Sequence, residues 1–117
     1  MSVPFLDLKK LHQGLEGDLV EAFRRVLSSG VFVLGEELKV FEKKFSKYCG
    51  TEHCIGVGNG LDALHLILRG YSIGRGHEVI VPSNTYIATW LAVNYSGAVP
   101  IPVEPIIGTF NIDPNKI

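Results

Sequence analysis

The sequence predicts an α/β fold, a mainly parallel sheet flanked by helices. Three observations carry that prediction. Short β-rich runs, "EVIVP" (Glu78–Pro82) and "AVPIPVE" (Ala98–Glu104), alternate with helix-length segments, which is the pattern of βαβ units. From Cys54 onward the helical segments are apolar on nearly every side, as elements packed around a covered parallel sheet are. And "GVGNGLDALHLIL" (Gly56–Leu68) passes from three glycines within five residues into an apolar segment, a strand, a turn and a helix in succession.

The elements follow in order. "LEGDLVEAFRRVLSSG" places Leu15, Leu19, Ala22, Phe23, Val26 and Leu27 on one helical face, and Gly30 stops it. "GEELKVFEKKFSKYCG" repeats the logic, with Leu38, Phe41, Phe45 and Tyr48 expected inward, lysines outward, and Gly50 at the end. "CIGV" (Cys54–Val57) reads as the end of a buried strand. Leu61, Ala63, Leu64, Leu66, Ile67 and Leu68 then surround most of a helix expected to be buried. Strand Glu78–Val81, a helix beginning at Tyr86 and strand Ala98–Glu104 complete the alternation. In "NIDPNKI", Asp113 is a helix N-cap and Pro114 the first helical position. Only three residues follow. A helix start with no helix behind it, and a sheet with an uncovered edge, lead us to expect a truncated part of a larger protein.

Composition narrows the function. At 117 residues the length allows one domain. Hydrophobic residues make up 46% and charged residues 20%, which argues against disorder. Net charge is −1 with no basic stripe, which argues against a nucleic-acid partner. No apolar run approaches the roughly 20 residues that span a bilayer, so no membrane association is expected. "MSVPFLDLKK" lacks a signal-peptide core, and the expected compartment is cytoplasmic. Cys49, His53 and Cys54 do not match a zinc spacing and lack an obvious fourth ligand, so two reduced thiols are expected and no metal.

Two segments can carry chemistry. The glycines around Asn59 allow backbone conformations closed to other residues, turning the amides of Gly60, Leu61 and Asp62 outward with the helix dipole behind them. Such amides hold phosphate, each dipole interaction contributing on the order of 0.3–1 kcal/mol. The stretch matches neither the dinucleotide fingerprint nor the Walker pattern, so a plain tight turn remains the other reading. The second segment, "VPSNTYIATW", follows a strand at the edge where open α/β sheets bind ligands. Tyr86 there is either a stacking surface for a planar cofactor or a core tyrosine. Trp90 is expected to be packing and His65 a satisfied core residue. His12, His53 and His77 receive no role. No lysine stands in an apolar setting suited to Schiff-base chemistry; Lys39, Lys43, Lys44 and Lys47 line a solvated face.

"GVGNGLDALHLIL", "GRGHEVIVPSNTYIATWLAV" and "NIDP", with "VPFLDL" and "SSGVFVLGEELKVFEKKFSKYCG" before them, resemble the N-terminal third of the DegT/DnrJ/EryC1/StrS aminotransferases. These are pyridoxal-phosphate enzymes of the aspartate-aminotransferase superfamily (fold type I) that aminate nucleotide-linked keto-sugars. The resemblance implies that residues 1–117 are the start of the cofactor-binding large domain, with 1–34 an N-terminal arm and first helix and 35–117 the start of the α/β core. It implies pyridoxal 5′-phosphate as cofactor, its phosphate held at Asn59, Gly60, Leu61 and Asp62, mainly by the amides of Leu61 and Asp62. Tyr86 falls where the family places an aromatic ring against the pyridine.

The resemblance is strongest to members acting on dTDP-3-keto-6-deoxyhexoses, with glutamate as amino donor and a homodimer as assembly, in deoxyamino-sugar and cell-surface polysaccharide biosynthesis. It also places the Schiff-base lysine, the carboxylate facing the ring nitrogen and the small domain beyond Ile117. The chain therefore holds no catalytic residue and is expected to be inactive by itself. Two alternatives stand beside this one. One is a sugar dehydratase of the same family, with histidine in the lysine's place. The other is a non-catalytic domain that dimerises with or regulates a full-length relative.

Overall fold

Asp7 opens the first regular element. Its Oδ1 accepts from the Lys10 N–H at 3.0 Å and caps a five-residue helix, α1 (Leu8–His12), which sequence reading had not placed. The structure, a computed structural model, describes residues 3–117. These fall into two compact units, one ending at Gly56 and the other running Val57–Ile117.

In the first unit α1 continues through a 3₁₀ turn (Gln13–Leu15) into α2 (Glu16–Ser29), and α3 (Glu36–Cys49) follows. Both long helices end as predicted. Gly30 and Gly50 adopt φ of +66° and +69°, the left-handed C-cap that glycine enters without a Cβ penalty. A bidentate pair joins the two helices, with Arg25 Nε donating to Glu37 Oε1 at 2.6 Å and Nη2 to Oε2 at 3.2 Å.

The expected inward faces are covered only in part, with Ala22, Val26 and Leu38 half-buried. Phe23 is 64% exposed and Tyr48 86%, while Phe41 and Phe45 stack on each other at 5.4 Å as an exposed aromatic stripe. The covered face of α3 keeps Leu38, as expected, and joins it to Glu42 and Ser46, spaced four residues apart, in place of the three aromatics. Glu42 Oε1 accepts from the Gly56 N–H at 2.7 Å. A Cβ on Gly56 would lie 2.5 Å from Leu38 Cδ1, so glycine here serves close packing. The reason for the rotated face is polar: the carboxylate satisfies a backbone donor that has no ladder partner. "CIGV" is accordingly not a strand among the described residues, and Ile55 is exposed.

In the second unit α4 (Gly60–Gly70) leads to β1 (Glu78–Pro82), α5 (Ile87–Ser96) and β2 (Val99–Val103). The strands are parallel, with Glu78 opposite Val99 and Pro82 opposite Val103, so the predicted βα β order and parallel pairing are present. Val81, Val93 and Ala98 form the core, with Leu68, Ile73, Val79 and Trp90 packed against it. Trp90 is the packing residue expected.

The α4 helix differs from expectation: none of its residues is fully buried. Leu68 meets the core while Leu64, Leu66 and Ile67 stay exposed. Within the described residues, neighbours cover only one side of a helix that is apolar almost all round. Beyond β2, Pro105 and Ile112 make an isolated antiparallel bridge. The predicted helix start at Asp113 and Pro114 gives a single 3₁₀ turn (Pro114–Lys116), capped by Asp113 Oδ1 on the Asn115 N–H at 3.0 Å.

Candidate cofactor site

The turn into α4 is built by one asparagine. Asn59 sits outside the helix in extended backbone, φ −164° and ψ 173°, and is its N-cap. Its Oδ1 accepts from the Asp62 N–H at 2.9 Å, and its Nδ2 donates to Asp62 Oδ2 at 2.9 Å. This reciprocal pair resembles a capping box, each end of the first turn holding the other. The Ala63 N–H takes the Asn59 carbonyl at 3.2 Å.

The cap decides which amides are free. Sequence reading turns Gly60, Leu61 and Asp62 outward, with Leu61 and Asp62 foremost. In the structure the Asp62 amide is already bonded to Asn59, while Gly60 and Leu61 have no acceptor among the described residues. They are the first two donors of an 11-residue helix, where the dipole favours an anion.

The glycines play a different part from the one expected. Neither Gly58 nor Gly60 is in the left-handed region, so neither is there for an unusual φ. A Cβ on Gly60 would meet nothing within 4 Å. The space beside its Cα is therefore open at the helix start. The Asp62 carboxylate is drawn toward the Asn59 amide, which offsets part of its repulsion for such an anion.

Tyr86 caps α5 with backbone φ −64° and ψ 146° and makes no side-chain cap bond. Its ring is 79% exposed, so it is not a core tyrosine. It follows the C-terminal end of β1, where Ser83 N–H extends the ladder to Val103 O at 2.9 Å. Between them Asn84 Nδ2 donates to Phe110 O at 3.2 Å, across 26 residues of sequence. Sequence reading saw a polar loop there but not this bond, because nothing local signals a partner so distant.

His65 departs from the satisfied core residue expected. Its Nε2 is buried with no hydrogen-bond partner among the described residues, and its ring meets Tyr95 edge-on at 6.0 Å. It lines a cleft of about 280 Å³ with Val57, Gly58, Asp62 and Leu66. Lys9, Lys10, Lys39, Lys43, Lys44 and Lys47 all belong to the unit ending at Gly56, and Lys116 is exposed. Cys49 and Cys54 are free thiols. Among the described residues no group of three or more His, Cys, Asp or Glu side chains is placed to hold a metal ion, and no helix is long and apolar enough to cross a membrane.

Residues 14–117 match the family model of the DegT/DnrJ/EryC1/StrS aminotransferase family. A dTDP-3-amino-3,6-dideoxy-alpha-D-galactopyranose transaminase of Aneurinibacillus thermoaerophilus is 56% identical over 115 residues, covering 98% of this chain and 32% of its own. Among solved structures, S. venezuelae DesV in complex with a ketimine intermediate is similar at a TM-score of 0.91 and 54% identity, covering 97% of this chain and 31% of its own. The Bacillus subtilis protein NtdA with bound cofactor PMP is similar at a TM-score of 0.90 and 38% identity, covering 99% and 27%. The chain thus spans less than a third of the length of each of these relatives.

Proposed function

The chain belongs to the DegT/DnrJ/EryC1/StrS aminotransferase family, and from that premise we propose that it forms part of the cofactor-binding domain of a sugar aminotransferase. Its α/β fold is that of fold type I pyridoxal-phosphate aminotransferases over the portion it spans. In this reading residues 1–34 are an arm and first helix, and 35–117 begin the α/β core. The whole enzyme aminates a nucleotide-linked keto-sugar, a dTDP-3-keto-6-deoxyhexose with glutamate as donor, in the cytoplasm and as a homodimer. The name of the Aneurinibacillus relative supports the sugar class. The exposed apolar faces of α2, α3 and α4 support an assembly that covers them.

One observation carries the cofactor assignment: the two unpartnered amides, Gly60 and Leu61, at the start of α4 beside open space. A phosphate monoester fits them in charge and in donor number. Pyridoxal phosphate, when bound, supplies an electron sink for the amino-group chemistry. The chain's own residues bind and orient it. Gly60 and Leu61 donate to phosphate oxygens, and Asn59 and Asp62 hold that first turn in place. Tyr86 presents a flat, exposed ring for the pyridine face, a contact contributing about 0.5–1.5 kcal/mol beyond buried area. No residue among 1–117 is assigned a proton-transfer role.

The test uses the full-length protein, loaded with pyridoxal phosphate and given a dTDP-3-keto-6-deoxyhexose and glutamate, with the amino-sugar followed by mass spectrometry. The expected result is amination, with cofactor affinity lowered about tenfold by Tyr86→Ala and kept by Tyr86→Phe. A full-length protein that takes up no cofactor, or takes it up and leaves the sugar unaminated, refutes the proposal.

A further inference from the structure

We propose that Asn84 is a positioning residue, tying the loop after β2 to the loop after β1 and thereby holding the Tyr86 ring at the ligand edge of the sheet. Because β1 and β2 are parallel, the loops following them leave the same edge, the one at which open α/β sheets bind ligands. The first loop carries Asn84 and Tyr86. Since the Tyr86 side chain makes no cap bond and its ring is largely exposed, the direction of that ring depends on the backbone from Ser83 to Thr85. Ser83 is anchored to Val103 O and the Thr85 N–H to Pro82 O at 3.1 Å. Asn84, between them, reaches outward.

The second loop is a closed turn. Ile106 N–H donates to Asn111 O at 2.9 Å, and Phe110 N–H to Ile106 O at 3.0 Å. Phe110 has φ +58°, a left-handed conformation that an aromatic side chain resists. Such strain persists only where the surroundings over-determine it. The Asn84 bond falls on that residue's own carbonyl, at 3.2 Å. It is the one side-chain bond among the described residues that joins the two loops. An idle surface bond would not be expected to land on the strained residue. The arrangement instead reads as a brace: the turn holds Asn84, and Asn84 holds the backbone that aims Tyr86.

This inference rests on the cofactor reading above, and the experiment separates the two. In the full-length protein, Asn84→Asp keeps the shape and removes the donor. Binding of pyridoxal phosphate and of pyridoxal, which lacks the phosphate, is measured together with the visible circular dichroism of the bound cofactor and the urea midpoint. The expected result is that Asn84→Asp weakens both ligands by the same factor, about fivefold, and alters the dichroism band, with the urea midpoint unchanged. Asn84→Ala, which adds no charge, gives the same readout should the aspartate variant fold poorly. Unchanged binding and dichroism in both Asn84 variants overturn the inference, as does a lowered urea midpoint with unaltered dichroism. Weakening of the phosphorylated ligand alone also overturns it, because the brace acts on the ring side. A wild-type protein that binds neither ligand overturns the cofactor reading itself.

Discussion

Gly60→Pro in the full-length protein tests the phosphate cradle at one atom. Proline has no N–H, so the substitution deletes the Gly60 donor and leaves the Leu61 donor in place. The helix should tolerate it. Gly60 is the first residue of α4, a position where the missing donor has no intrahelical role and proline is favoured. The residue before a proline must be extended, and Asn59 already is, at φ −164° and ψ 173°. A Cβ at Gly60 meets nothing within 4 Å. A hydrogen bond to a charged group contributes about 1.5–3 kcal/mol, so cofactor affinity should fall about 10- to 150-fold. Affinity for pyridoxal, which has no phosphate, should stay unchanged. Gly60→Ala keeps the donor and serves as the control. Titration of the apoenzyme, followed by cofactor absorbance, gives both constants. If Gly60→Pro binds pyridoxal phosphate as tightly as wild type, or loses pyridoxal equally, the Gly60 amide does not hold the phosphate.

Three further predictions concern the scaffold, each read from the urea midpoint of the full-length protein. Gly74→Ala would put a Cβ 2.9 Å from the Ser96 carbonyl oxygen. Backbone cannot step aside as a side-chain tip can, so a loss of about 1–3 kcal/mol is expected; a neutral result would mean the loop shifts freely. Glu42→Ala strips the acceptor from the Gly56 N–H and should cost about 1–3 kcal/mol, whereas Glu42→Gln, which keeps an oxygen there, should cost less. The third concerns pH. The hydrogen bond from Arg25 holds the Glu37 carboxyl below its ordinary 4.5, with the charges of Arg25 and Lys44 adding to it and desolvation opposing. A carboxyl depressed in the folded state stabilises above the unfolded value and loses that contribution as pH falls toward the folded one. The gap between wild type and Glu37→Gln should therefore narrow as pH drops from about 5 to about 3. A gap that is constant or widens would refute the assignment.

The ends of elements were legible because their signals are local. Gly30 and Gly50 stop their helices through their own φ, and Asp113 caps through a bond two residues away. The β1–α5–β2 order was legible for a similar reason: apolar runs and the polar loop between them alternate over short distances. Asn59 to Asp62 was legible as a turn into a helix whose first amides could face outward. Which of its amides are free was not, since that depends on the direction taken by the Asn59 side chain. The short helix α1 went unseen because one turn leaves no periodicity to read.

By itself, then, the sequence determined the α/β class, the glycine stops of α2 and α3, the β1–α5–β2 order, and the two segments, Asn59–Asp62 and Tyr86, proposed to hold the cofactor. Each depends on atoms a few residues apart, and such contacts travel with the chain. The tertiary structure decided the rest. It turned Glu42 rather than Phe41 toward Gly56, left the β-branched "CIGV" without a ladder, and put the free donors on Gly60 and Leu61. It also brought Asn84 to Phe110 across 26 residues. These outcomes follow from which distant group arrives to satisfy a donor or cover an apolar face, and no local pattern of residues encodes that arrival.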